Sequence, residues 1–379
     1  MKWWVKRQLL ITKVLLLPLT TIAAIAMTTI LTNALTKNSI HQSPMKFVQC
    51  QSEQSETFLS GKTDFWCESS DLMANVFYRR LSALDNELAP SGANGVNAQW
   101  ESKQTQQWYI EAQRHGEELI IGGLIKNDSK AVEAGFRMFD WGFAKQASDG
   151  SFSGTGDPFH STSMFVQAVS RTLLVIQQSP HSKQYADKVA HYTPLLHRAA
   201  RWMISDNAWR RGINNNKPYT HRRYIVATAL GLTGKLTGDQ VLINYARKSI
   251  QDGLSLQRED GVNPEKGGHD SSYQMVGVVY AQRWLTYFPN DSLTPKVKAM
   301  IERSLDWEHT KIFPTGEISN KGNTRTGGQE RGRSGKVKKV DHRSVYRGFA
   351  YLTCVTGNNK WEAIARQVAQ YYYNLPKKS

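Results

Sequence analysis

From about residue 159 onward the chain alternates between two kinds of helix-forming segment, joined by two kinds of loop. One kind is amphipathic. In "DQVLINYARKSIQDGLSL" the apolar residues Val241, Leu242, Tyr245, Ala246, Ile250 and Leu254 recur at three- and four-residue steps and leave a polar opposite face. Residues 185–204, 295–307 and 360–373 share that pattern. The other kind is apolar nearly all round: "SMFVQAVSRTLLVI" (163–176), "YIVATALGL" (224–232), "YQMVGVVYAQRWL" (273–285) and "VYRGFAYLTCV" (345–355). A helix of that second kind has to be buried on every side.

The loops alternate in step. An apolar segment leads to the next amphipathic one through a short turn such as "TGKLTGD" or "TGNNK". The return is long and polar, as in "ASDGSFSGTGDPFH", "NAWRRGINNNKPYTH", "EDGVNPEKGGHD" and the stretch 313–343. Inner and outer helices in strict alternation predict helical hairpins arranged as a double wall. The expected fold is all-α, an (α/α) toroid of about five or six hairpins over residues 70–379, with weaker helical signals in 71–147 supplying the first of them. An open superhelix of repeats is the alternative, and the missing fixed period speaks against it. Because chain direction alternates too, every long loop leaves from one face. Loops of that length in a compact domain are usually functional.

Residues 1–35 stand apart. "MKWWVKRQLLITK" is basic, and "VLLLPLTTIAAIAMTTILTNAL" is an uncharged apolar run, the pattern of an export signal or an uncleaved membrane anchor. Thr32-Asn33-Ala34 suits cleavage, whereas the length of residues 14–35 suits an anchor, since about 20 apolar residues span a bilayer. Either way the rest is expected outside the cytoplasm, periplasmic or secreted, with 36–69 as a polar tether. Of the three cysteines, Cys50 and Cys67 are placed to close a small loop, leaving Cys354 in a helix; three unpaired cysteines is the other reading. Net charge is +16, and residues 1–34 hold four basic residues and no acid, which leaves +12 for the remainder. Such an excess points to an anionic partner. Charge alone does not choose among nucleic acid, anionic lipid and acidic polysaccharide. Taken with the cations and histidines of the long loops, it makes an acidic polysaccharide the expected partner and nucleic acid not, with the membrane engaged through the N-terminal helix if it stays uncleaved.

Each long loop ends in a histidine at the start of an apolar segment: His160, His221, His269 and His342. Taken singly, each is more readily structural, just as Ser, Thr and Asp at helix starts are caps and Asp-Gly is a turn. Four on one face form a stronger signal. Cations accompany them: Arg222 and Arg223 beside His221, and "RTGGQERGRSGKVKK", which carries six cations and one acid from Arg325 to Lys339. Tyr273 follows His269 by four residues and shares a helix face with it if the helix includes both; a satisfied core tyrosine is the alternative.

Acidic sugar polymers can be cut by β-elimination. That chemistry needs a clamp on the uronate carboxylate, a base for the adjacent proton and an acid for the leaving oxygen. Candidates are His221, His269, Tyr273 and Arg223 for catalysis, with His160, Arg222, Asn263, Asp270, Asn323, Arg325 and His342 for substrate binding. Hydrolysis needs two carboxylates instead, and Asp149, Asp157, Glu265, Asp270 and Glu317 all lie in the long loops. A non-catalytic protein that binds anionic glycan is the third reading. No metal or cofactor signature stands out.

The helical hairpins, the export signal and "DGVNPEKGGHDSSYQ" resemble the (α/α)-toroid polysaccharide lyases, among them alginate and related uronate lyases, over roughly residues 70–375. The resemblance implies an Asn or Gln neutraliser working with a His, a Tyr and often an Arg. His221 with Arg222 and Arg223, then His269 and Tyr273, match in residue type and loop position. The adjacent Asn-His pair of the alginate lyases is absent, since Asn214, Asn215 and Asn216 lie upstream of His221.

Overall fold

A computed structural model describes residues 63–81, 88–328, 330–332 and 335–374. The apolar segment 1–35, Cys50 and most of the polar stretch 36–69 lie outside the described residues. Those described are all-helical, with only isolated β-bridges between loops. In chain order the helices are α1 (Asp64–Glu68), α2 (Asp71–Ala74), α3 (Val96–Ser102), α4 (Gly116–Lys126), α5 (Ser129–Phe143), α6 (Pro158–Gln178) and α7 (Ala186–Met203), then α8 (Asp206–Asn216), α9 (Thr220–Thr237), α10 (Gln240–Ser255), α11 (Ser271–Tyr287), α12 (Thr294–His309), α13 (His342–Thr356) and α14 (Asn359–Tyr372). Short 3₁₀ turns cover Phe77–Arg80 and Ile110–His115.

The two helix types occupy the two layers expected of them. In α6 every residue from Phe159 to Ile176 is buried, and α9, α11 and α13 are buried on nearly all sides. These four pack in succession, α6 on α9, α9 on α11 and α11 on α13, each backed by its amphipathic partner α7, α10, α12 or α14. In α10 only one stripe is buried, from Leu242 through Ala246 and Ile250. The pair α4/α5 makes a fifth hairpin, with α4 against α6. The turn from inner to outer helix is short because its residues do two jobs at once. Gly238 ends α9 in the left-handed region (φ 72°) and Asp239 then caps α10 through the amides of Val241 and Leu242. Gly357 and Asn358 repeat that arrangement between α13 and α14.

At the other end a four-residue turn recurs. Ala147 to Gly150, and Arg258 to Gly261, are closed by the hydrogen bonds Gly150 N to Ala147 O and Gly261 N to Arg258 O, both 2.9–3.0 Å. Both glycines have φ near 90° and lie against the backbone carbonyl of the next outer helix, Arg198 O and Arg303 O. Ala89 to Gly92 and Phe313 to Gly316 make the same turn against Arg137 O and Gln367 O.

Three features differ from the sequence-based expectation. The segment 207–221, expected as a loop, is largely the helix α8. Its polar composition hides a narrow apolar face on which Ala208 and Trp209 meet the core and Gly212 lies directly on the Phe159 ring. Helical structure begins at Asp64, inside the stretch read as a tether, because α1 plugs the core with charge: Arg171 binds Asp64, Glu68 and Glu117, and Arg347 binds Glu68, all of them buried. Finally, Cys67 is bonded not to Cys50 but to Cys354, tying α1 to α13.

Candidate active site

The polar loops before α9 and α11 and the long stretch before α13 interlock on one end of the helices. Lys266 N donates to Pro218 O (2.7 Å), Thr220 Oγ1 to Pro264 O (2.6 Å) and Thr324 N to His269 O (2.9 Å). This bracing delivers Glu265, fully buried, to His221, the second residue of α9. Glu265 Oε1 accepts from the His221 amide at 3.0 Å and lies 2.6 Å from His221 Nδ1. A carboxylate can only accept, so Nδ1 carries the proton and Nε2 presents a lone pair. Burial holds the His221 pKa below its usual 6.5; Glu265 opposes this, while Arg325 and Arg222 add to it. The result is a neutral, oriented imidazole, the form a general base requires.

Tyr273 stands over that ring, with centroids 4.7 Å apart. It is the third residue of α11, whose start is capped by Asp270 through the Tyr273 amide at 3.2 Å. The Arg325 guanidinium lies 3.5 Å from the Tyr273 ring centre and 4.8 Å from that of Tyr219. Lys338 Nζ donates to the Tyr273 hydroxyl at 3.0 Å. Arg325 also bonds Glu265 (3.3 Å) and Glu330 (3.0 Å), and Glu330 pairs in turn with Lys338 and with Lys266 (2.7 Å). Partial burial pushes the Glu330 pKa up, but these cations hold it down at about 2.

On α11, an otherwise mostly buried helix, Tyr273, Val276 and Tyr280 are partly exposed and share one face, with Thr286 the remaining partly exposed position near its end. Beyond Tyr273 that face lines a cavity of about 270 Å³ that also receives Arg114, Arg283 and Arg343. A second cleft of about 530 Å³ lies between the start of α6 and helices α7 and α8, bordered by Trp202, Arg211 and Asp157. Asp157 bridges it to the first cluster through Arg222, at 3.0 Å.

Of the residues singled out in the sequence, the fold therefore brings together His221, Tyr273 and Arg325, with Glu265, read there as a hydrolytic carboxylate, beneath His221 and Arg325, and Arg222 at the edge over the Tyr219 ring. The others are elsewhere. His269 precedes α11 instead of sharing its face, and its ring meets Trp307 while Nε2 lies 3.2 Å from Lys321 O. Arg223 binds Asp252 and the carbonyls of Asn216, Lys217 and Tyr219, closing the end of α8. Asp270 accepts from the amides of Arg325 and Thr326 (2.9 and 2.7 Å), which fixes the backbone of the clamp residue. Asn263 bonds Ser304, and Asn323 receives the Ser271 amide. His160 lies 4.0 Å from Glu111, and His342 stacks on Tyr372 at 4.4 Å.

Sequence reasoning did not give Lys266, Glu330 or Lys338 a place in the site. One signal was present, because Glu330 is the single acid in the cationic run from Arg325 to Lys339. No family model, curated protein or solved structure matches this chain. Its chemistry is therefore argued from its own geometry.

Proposed function

We propose that the chain is an exported lyase that cleaves an acidic, uronate-containing polysaccharide by β-elimination, on helices that close as an (α/α) toroid. The observation that carries this reading is the meeting of His221, Tyr273 and Arg325. Arg325 takes the uronate carboxylate, which acidifies the neighbouring C–H and stabilises the charge that builds as the proton leaves. Nε2 of neutral His221 accepts that proton. The Tyr273 hydroxyl gives a proton to the glycosidic oxygen, the C–O bond breaks, and a carbon–carbon double bond is left in the ring. Lys338, on the Tyr273 hydroxyl, and Arg325, on its ring, favour the phenolate that remains until the proton returns through solvent.

Hydrolysis has less support, because the loop carboxylates are already engaged. Glu265 serves His221, Asp270 holds the Arg325 backbone, Asp157 binds Arg222 and Asp149 accepts the Ser151 amide. Glu317 is exposed beside Gly316, at one of the recurring turns. Export is supported by the basic and apolar start of the chain and by the Cys67–Cys354 disulfide, a bond suited to an oxidising compartment. Among the described residues no helix is long and apolar enough to cross a membrane.

The test presents the full chain with alginate, glucuronan, heparin-type and pectin polymers. Ultraviolet absorbance of the unsaturated product and new reducing ends are followed together. Both rising establishes elimination; reducing ends alone would transfer the case to hydrolysis, and neither with salt-sensitive binding would leave a glycan-binding protein.

A further inference from the structure

Arg325, Lys338 and Lys266 come from two different loops and converge on a single carboxylate, that of Glu330. Arg325 approaches it with both Nε and Nη2, at 3.2 and 3.0 Å from Oε1, and Nε also lies 3.4 Å from Oε2, so two charge-assisted bonds converge on one carboxylate oxygen. The same Arg325 covers the Tyr273 ring, and the same Lys338 bonds the Tyr273 hydroxyl. The carboxylate thus sits where an acidic sugar would have to place its own for Tyr273 and His221 to reach the adjoining atoms. Glu330 is nevertheless within reach of solvent. Its side chain is 21% exposed, as is that of Lys338 at 23%, and Lys266 is 43% exposed. The segment around it holds Gly327, Gly328, Gly332 and Gly335.

We propose that Glu330 is an internal stand-in for the substrate carboxylate, and that Lys266 and Lys338 join Arg325 as the residues that select a uronate. This rests on the elimination reading for the identity of the ligand. In the free protein the acid neutralises the three cations. A uronate entering the clamp takes over the same hydrogen bonds and the same charge balance while Glu330 turns to solvent. Binding is then an exchange of one carboxylate for another, and Glu330 lowers the affinity by the fraction of time that it holds the clamp. A neutral sugar cannot make the exchange, so the device also rejects uncharged glycans. Replacing the acid takes that carboxylate from Lys266 and Lys338 and leaves Arg325 with Glu265 alone among the described carboxylates, so the clamp is drawn to any anion of the right shape.

The test uses saturated tetrasaccharides of glucuronan, alginate and pectate type, with cellotetraose as the uncharged control, titrated calorimetrically into the full chain. Glu330→Gln and Glu330→Ala are expected to bind at least one uronate tetrasaccharide about tenfold tighter than the unsubstituted chain, as they would if the clamp were free about one-tenth of the time. Cellotetraose should gain nothing. Adding Lys338→Met or Lys266→Met to Glu330→Gln should remove the gain. Unchanged or weaker binding of every uronate by both Glu330 variants, with melting curves that show them folded, would overturn the proposal and leave Glu330 as a loop anchor. The outcome is separable from that of the lyase reading. Tighter binding without a double bond in the product keeps the clamp and removes elimination, whereas elimination without tighter binding does the reverse.

Discussion

Nδ1 of His221 lies 2.6 Å from Oε1 of Glu265, and the same oxygen accepts the His221 backbone amide. One buried carboxylate therefore fixes the ring's tautomer, its rotation and the start of α9. Glu265→Gln keeps the volume but offers an amide that can donate as well as accept, so the tautomer is no longer dictated. The rate should fall about 10²- to 10⁴-fold, the range expected for loss of a general base, with little change in KM.

The pH profile provides a sharper check on the same pair. A base works only when unprotonated, so activity is lost as pH falls through the His221 pKa. That pKa is already below 6.5, and Glu265 is the group pulling it upward. In Glu265→Gln the acid limb of kcat/KM should therefore move to lower pH. A limb that moves up or stays in place would mean that His221 is not the titrating base.

Tyr273→Phe keeps the ring that His221 and Arg325 both pack against and removes only the hydroxyl that Lys338 meets. Cleavage should fall by about 10²-fold or more, while the melting temperature stays within a few degrees because the α11 cap at Asp270 is untouched. Full activity in this variant would remove Tyr273 from the chemistry.

The layering of helices could be read from the chain because burial on all sides leaves a one-letter record: α6 carries a single formal charge, Arg171, and α9 carries none from Tyr224 to Gly234, whereas α10 shows one polar face. The site was harder to read. His221, Tyr273 and Arg325 were visible as residue types at loop ends, yet so were His269 and Arg223, which turn to Trp307 and to the end of α8. Nothing in a sequence tells which of two neighbouring polar residues is consumed by bracing a loop. That depends on contacts between segments far apart, such as Asp270 with Arg325 and Thr326. The helix α8 was missed because seven of its eleven residues are polar and mask Ala208, Trp209 and Ile213, and its burial depends on a ring from α6 that sequence periodicity cannot see.

The recurring glycine turn gives a stability prediction away from the site. Gly261 has φ 88°, and an added Cβ would lie 2.5 Å from Arg303 O, a backbone atom that cannot swing away. Gly261→Ala should cost about 1–3 kcal/mol from the positive φ alone, with further loss from the clash. Gly238→Ala is the control: its φ is also positive at 72°, but its Cβ would meet nothing within 4 Å. Chemical denaturation should rank Gly261→Ala as the more destabilised of the two.

Acid stability should depend on His115, which ends the 3₁₀ turn before α4 and lines the cavity beside Arg114. Burial first, and then the Arg114 charge, lower its pKa from 6.5 to about 4. Between those values the unfolded chain binds the proton and the folded chain does not, so stability rises with pH across that window. The contribution is complete above pH 6.5 and is lost toward pH 4, with a slope of at most about 1.4 kcal/mol per pH unit. Carboxyls with depressed pKa, such as Glu118 and Glu330, act on the far side, below their ordinary 4.5. His221, also held below 6.5 by burial, and Glu308, raised above its ordinary 4.5 by burial, respond between pH 6.5 and 4.5 as well, so the His115 share is read as the difference between the unsubstituted chain and a His115 variant. His115→Gln, which cannot take up the proton, should flatten the decline there. An unchanged decline would assign the acid sensitivity to other groups.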